Sequence, residues 1–157
     1  MAELTGVSSI FHGDTDVVDS SAQHVVGTRA RDNAGNEYIY LLGVASVAAG
    51  TWVSFDEAGT TTRLVTNAVG RVAVAMAAIV ASKYGWFQIY GKNTIALGIS
   101  GNIGDNAQLY TSSTNGSADD TDGAGEMIIG AWSRSADSSG VFTAELNYPI
   151  CINAAID

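Results

Sequence analysis

The chain is built from short apolar runs separated by turn residues, and this punctuation limits its fold more than any other feature. Runs of four to eight residues rich in Val, Ile, Leu and aromatics recur along it, with Gly, Asn, Asp, Ser and Thr between them. Runs of that length suit strands, whereas helices need longer segments with a 3.6-residue period. No segment sustains such a period. Ten strands are predicted, at 25–31, 37–44, 51–56, 61–66, 70–80, 84–90, 94–100, 108–111, 127–133 and 141–148. A spacing of about 8–12 residues between strands points to an all-β sandwich or barrel of mainly antiparallel strands. Segment 70–80 (GRVAVAMAAIV) is the ambiguous one, because Ala favours helix. Val72, Val74 and Met76 nevertheless alternate with Ala73, Ala75 and Ala77, a period of two. Ile79 breaks the alternation, and a bulge near Ala77 and Ala78 is the expected reason.

The segment KYGWFQIYG at 83–91 raises a packing question. Tyr84, Trp86 and Tyr90 lie on one side of an extended chain, Phe87 and Ile89 on the other. A half-buried strand shows one polar face, and this one shows none. A second sheet layer of the same chain or a neighbouring subunit is needed to cover it. Tyr84, Trp86 and Tyr90 are therefore candidate interface residues, since aromatics carry much of the energy of interfaces.

A single domain is expected for 157 residues, a length that supports a core without staples. Cys151 is the single cysteine, so no disulfide forms within the chain. Only 15% of residues are charged, against about 25% in ordinary domains. The net charge is −9, and neither 1–28 nor 93–133 contains a Lys or Arg. Phosphate backbones and anionic lipid surfaces are repelled by that balance, so neither nucleic acid nor membrane is an expected partner. The longest apolar run, 72–81, has ten residues, half of a helical membrane span. The first ten residues lack the positive start and apolar core of a secretory leader.

Residues 1–24 mix Ser, Asp, Thr and Gly with isolated apolar residues and show no period. They are read as an irregular N-terminal arm that either frays or orders against a neighbouring chain. Its strongest apolar pair, Ile10 and Phe11, is a further interface candidate. The β domain is placed at 25–150, with a tail at 151–157. An internal repeat runs through the domain: 52–55 (WVSF) matches 108–111 (QLYT), 70–73 (GRVA) matches 125–128 (GEMI), and 86–88 (WFQ) matches 141–143 (VFT), all at offsets of 55 or 56 residues.

Chemistry-bearing residues are sparse. His12 and His24 are the available imidazoles, and both fall in the arm, whereas catalytic groups sit on rigid supports. Cys151 reads as a small apolar filler. Asp14, Asp16 and Asp19 resemble the start of a calcium loop. Counting from Asp14, however, the sixth and twelfth positions hold Asp19 and Val25, where that loop requires Gly and Glu. From Asp120 the sixth is Gly125, but the twelfth is Ala131. Both acidic clusters read as solvated loops. Gly101 to Gly104 (GNIG) lacks the strand–loop–helix setting of a phosphate loop and reads as a turn. Neither a metal nor a cofactor is expected, and the chain is read as a non-enzyme. A hydrolase, built on His12 or His24 or on paired carboxylates distant in sequence, is the remaining catalytic alternative. Trp52 and Trp86 leave open a carbohydrate-binding β-sandwich, in which a Trp ring stacks on a sugar.

The series GRVAVA at 70–75, KYGWFQIYG at 83–91, QLYT at 108–111 and LNYP at 146–149 resembles capsid decoration, or cement, proteins of tailed bacteriophages. The likeness spans about residues 27–150, and its most specific piece is YGWFQIYG following a GxVAVA strand. The resemblance implies an all-β virion protein on the outer surface of the head. It would bind the major capsid protein, form homo-oligomers and stabilise the shell by bridging capsid subunits. A phage tail or fibre component is the nearest alternative. The family supplies no catalytic residues to transfer.

Overall fold

The computed structural model describes residues 14–122 and 126–152. Eleven strands account for the regular structure there: β1 (Val18–Asp19), β2 (Arg29–Arg31), β3 (Glu37–Leu42), β4 (Trp52–Phe55), β5 (Thr61–Arg63), β6 (Gly70–Ala75), β7 (Tyr84–Leu97), β8 (Gln108–Thr111), β9 (Ala118–Asp119), β10 (Met127–Ser133) and β11 (Val141–Cys151). The described residues contain no helix. All eleven strands belong to one open sheet whose strand pairs are antiparallel. The all-β, sandwich-like class expected from the punctuation is the one found.

Several boundaries differ from expectation, each for a local reason. The predicted strands 84–90 and 94–100 are one strand, β7, carried through a turn-like residue at Gly91 (φ +95°). β6 ends at Ala75. The alternation therefore slips at Ile79 because the strand has finished, not because a bulge interrupts it. The short β1 and β9 lie in segments too polar to show a period. β11 continues to Cys151 and takes in the start of the assigned tail.

The repeat seen in the sequence is a repeat of strand pairing. In the first unit β3 pairs with the first half of β7 (Leu42 opposite Tyr84), β4 lies between β5 and β6, and β6 pairs with β7. In the second unit the latter half of β7 takes the place of β3, pairing with β11 (Leu97 opposite Val141). There β8 lies between β9 and β10, and β10 pairs with β11. β7 is thus the last strand of one unit and the first of the next. Left-handed residues recur with the pattern: Gly59 with Gly116, Ser82 with Ser139, and Gly91 with Tyr148. Buried positions recur as well, among them Val47 with Ile103, Val53 with Leu109, and Ile89 with Leu146.

Each unit has a core, and β6 is the wall between them. Its Ala73 and Ala75 face the first core with Ile39, Leu41, Val53 and Phe87. Its Val72 and Val74 face the second with Trp52, Leu109, Phe142 and Leu146. This explains why GRVAVA has no polar side. Trp52 is fully buried in the second core, and its indole N–H donates to the Leu97 carbonyl at 2.9 Å. Burial of a side chain of this size contributes about 1.5–3 kcal/mol.

The second face of β7 is covered by the chain itself. Trp86 packs with Ala30, Tyr38 and Tyr40 in a third cluster, with Tyr84 and Met76 at its edge. β1 pairs with the start of β7, Val18 opposite Gly85. The His24 ring meets Tyr40 edge-on at 4.9 Å and Trp86 at 5.4 Å. The Tyr40 hydroxyl donates to Asp19 Oδ2 at 2.6 Å and accepts from the Gln23 N–H. Burial, and then the Asp19 carboxylate, push the Tyr40 phenol up to about 12. Residues 18–24 of the assigned arm therefore order against their own domain.

Candidate interaction surface

The site grows from the kink in β7. Gly91 takes a conformation that favours glycine, and a Cβ there would overlap Asn36 Oδ1. That oxygen instead accepts the Lys92 N–H at 3.0 Å. Inside the bend, buried Gln88 donates to the Tyr90 carbonyl at 3.1 Å and accepts from Asn93 at 2.9 Å. The backbone around Tyr90 is thus held from both sides, and its ring is presented outward, 38% exposed.

The equivalent residue of the second unit, Tyr148, is also left-handed (φ +47°). A bulky residue in that region is uncommon and strained. Its effect on β11 is visible. Asn147 and Tyr148 are exposed in succession, so the inward set shifts from Leu146 to Pro149 and Cys151 and the outward set becomes Tyr148 and Ile150. The Tyr148 ring lies 5.1 Å from that of Tyr90, and Arg29 stands over it at 6.0 Å. Its hydroxyl donates to Glu37, which also accepts from Arg31 Nε at 2.9 Å. The hydrogen bond to Glu37 holds the Tyr148 phenol above its ordinary value. At Glu37 burial works against ionisation, but the bonds from Tyr148 and Arg31 outweigh it and lower the carboxyl.

Two regions extend from this tyrosine pair. On one side is a groove of about 550 Å³ lined by Tyr90, Lys92, Arg134, Glu145 and Asn147. Arg134 is fixed there by Glu145 at 2.6 Å and by Asn106 at 3.0 Å. On the other side Arg29, Arg71 and Tyr148 close over Ile89 and Phe55. The Arg71 guanidinium lies 4.6 Å from the Phe55 ring centre and donates to the Asp56 carbonyl. Beyond it runs an apolar strip. Ile150 is opposite both Arg71 and Ile129 across the sheet, and Met127 and Ile152 continue the same alternation. All four of these apolar residues are exposed.

Of the candidate interface residues, Tyr90 lies in this surface. Tyr84 is half-buried and stacked on Tyr40 at 6.2 Å. Trp86 is 5% exposed and covered within the chain. Ile10 and Phe11 lie outside the described residues, as does His12. Tyr148, Ile150, Ile129, Arg29 and Arg71 were not singled out from the sequence. Period-two reading of β11 fails at the left-handed Tyr148, and the cations are scattered along the chain.

Cys151 and the GNIG turn have structural tasks. Cys151 is buried, and burial, then the Glu126 charge, push its thiol up to about 12, so it stays protonated. The GNIG turn wraps its amides around carboxylates: Asp137 accepts from Gly101 and Ile103, and Asp120 from Gly104. Among the described residues no three His, Cys, Asp or Glu side chains gather into a metal-holding group. Comparison with family models, curated proteins and solved structures finds no match.

Proposed function

We propose that the protein is a virion structural protein of the capsid decoration type. It binds the outer surface of a tailed-phage head and stabilises the shell by bridging neighbouring capsid subunits. The observation that carries this reading is the surface around Tyr90 and Tyr148. It combines fixed aromatic rings, anchored guanidinium groups and an exposed apolar strip, the composition that interfaces favour. The likeness of GRVAVA and YGWFQIYG to decoration proteins supports the same role. Binding only the mature lattice would stabilise that state by linkage, and many copies on one lattice reinforce one another through high effective concentration.

The major capsid protein is the proposed partner. Shells assembled from the major capsid protein of the same phage, mixed with the purified chain and sedimented, should carry it down in a saturable ratio. Electron microscopy of labelled particles should place it on the head. A chain that stays in the supernatant, or a label confined to the tail, refutes the reading. A sugar-binding role resting on Trp52 and Trp86 loses its support, because both are buried.

A further inference from the structure

We infer that the cationic and tyrosine-bearing half of this surface is a docking site for an acidic protein segment. The inference rests on the docking role above only for the source of that segment, a shell subunit. Its basis is charge distribution. The chain holds seven Lys and Arg against sixteen Asp and Glu. Five of the seven, Arg29, Arg31, Arg71, Lys92 and Arg134, belong to the surface joined through Tyr90 and Tyr148. The two carboxylates within it are already engaged, Glu37 by Arg31 and Tyr148, Glu145 by Arg134. The other two cations share the rest of the chain with fourteen carboxylates, of which Asp56 and Glu57 border the site beyond Arg71. A strongly acidic protein has thus gathered most of its positive charge at one place.

The groups there are prepared for carboxylates. Arg71 is stacked and hydrogen-bonded, which leaves part of its fork directed outward, and an immobilised guanidinium loses little entropy when it pairs with a carboxylate. Lys92 lines the groove as a compact cation on a flexible stem. The two tyrosines supply rigid, amphipathic contact area at low entropic cost. Acidic residues of an extended segment would meet Lys92 and Arg134 at one end and Arg29 and Arg71 at the other, with apolar side chains over the rings between. Complementary charge of this kind sets specificity and association rate.

The test needs no shell, so its failure is separable from failure of the docking role. The full-length chain, isotopically labelled, is titrated with a synthetic peptide of alternating Glu and Leu, and separately with its Gln and Leu counterpart. The Glu peptide should shift the amides of residues 90–92 and 145–148, weaken with added salt, and bind about tenfold less well to Lys92→Glu or Arg71→Glu. Both positions are exposed, and unchanged circular dichroism of each variant shows that its fold is kept. Equal binding of the Gln peptide, shifts confined to other residues, or wild-type affinity in both variants overturns the inference. An oligonucleotide that binds the same amides more tightly than the Glu peptide assigns the site to nucleic acid and overturns it equally.

Discussion

Replacing Trp86 by Ala separates a strand covered by its own chain from one covered by a neighbour. The side chain is 5% exposed and touches the rings of Tyr40 at 5.2 Å and His24 at 5.4 Å. Truncating a buried Trp to Ala costs about 3–5 kcal/mol, the lost transfer energy plus the cavity left behind. An aromatic pair adds about 0.5–1.5 kcal/mol beyond burial, so the upper part of that range is expected. In a chain of this size each kcal/mol lowers the midpoint by about 2–4 °C, and the fall should be on the order of 10 °C. Thermal unfolding followed by circular dichroism measures the fall and urea unfolding the free-energy loss, since removing Trp86 also alters fluorescence. The decisive control is protein concentration. Burial within one chain makes the loss the same at every concentration, whereas burial against a second subunit makes it shrink on dilution, as the wild-type assembly itself dissociates. A loss under about 1.5 kcal/mol, or one that varies with concentration, refutes the intramolecular packing.

Four further outcomes are expected. Tyr40→Phe removes the donor to Asp19 and the acceptor for Gln23, and urea titration should show a loss of about 1–2 kcal/mol. Gly91→Ala places a Cβ against Asn36 at a left-handed φ and should cost about 1–3 kcal/mol in the same assay; an unchanged midpoint would show that the kink is not strained. Cys151 should resist thiol reagents in the native protein and react at the rate of global unfolding, with modification under native conditions as the contrary result. The fourth concerns acid. Burial disfavours ionised Asp32, but hydrogen bonds from Asn36, Tyr38 and Ala34 outweigh it and lower its pKa. A depressed carboxyl contributes stability above its unfolded pKa and loses it as pH falls through the folded value. Asp32→Asn should therefore be less stable at neutral pH, with a shallower decline below about pH 4; parallel acid limbs would count against the assignment.

Much of the architecture was legible before any coordinates. Strands are local objects, so alternation and turn residues revealed nine of the eleven, and the 56-residue offset between WVSF and QLYT, with two further matches at 55, marked the repeat. The repeat itself needed the pairings, because β7 serves both units and a sequence shows no boundary inside a continuous strand. The interaction surface was barely legible. Tyr90 stood out as an aromatic, but Trp86, of the same face and the same apparent merit, is covered by residues 18–30. Nothing in the local sequence around either residue announces that difference.

The amino-acid sequence alone determined that this chain is all-β, built from two similar runs of strands, acidic and poor in histidine and cysteine, because composition and period act through neighbours a few residues away. Tertiary structure decided which aromatic rings face outward and where the cations meet. Arg29, Arg71, Lys92 and Arg134 are far apart in the chain and come together only through the pairing of β2 with β3, of β3 with β7, of β7 with β11, and of β11 with β6 and β10. Tyr148 points outward because a left-handed residue reverses the alternation of its strand, and that conformation is held by Glu37, 111 residues away.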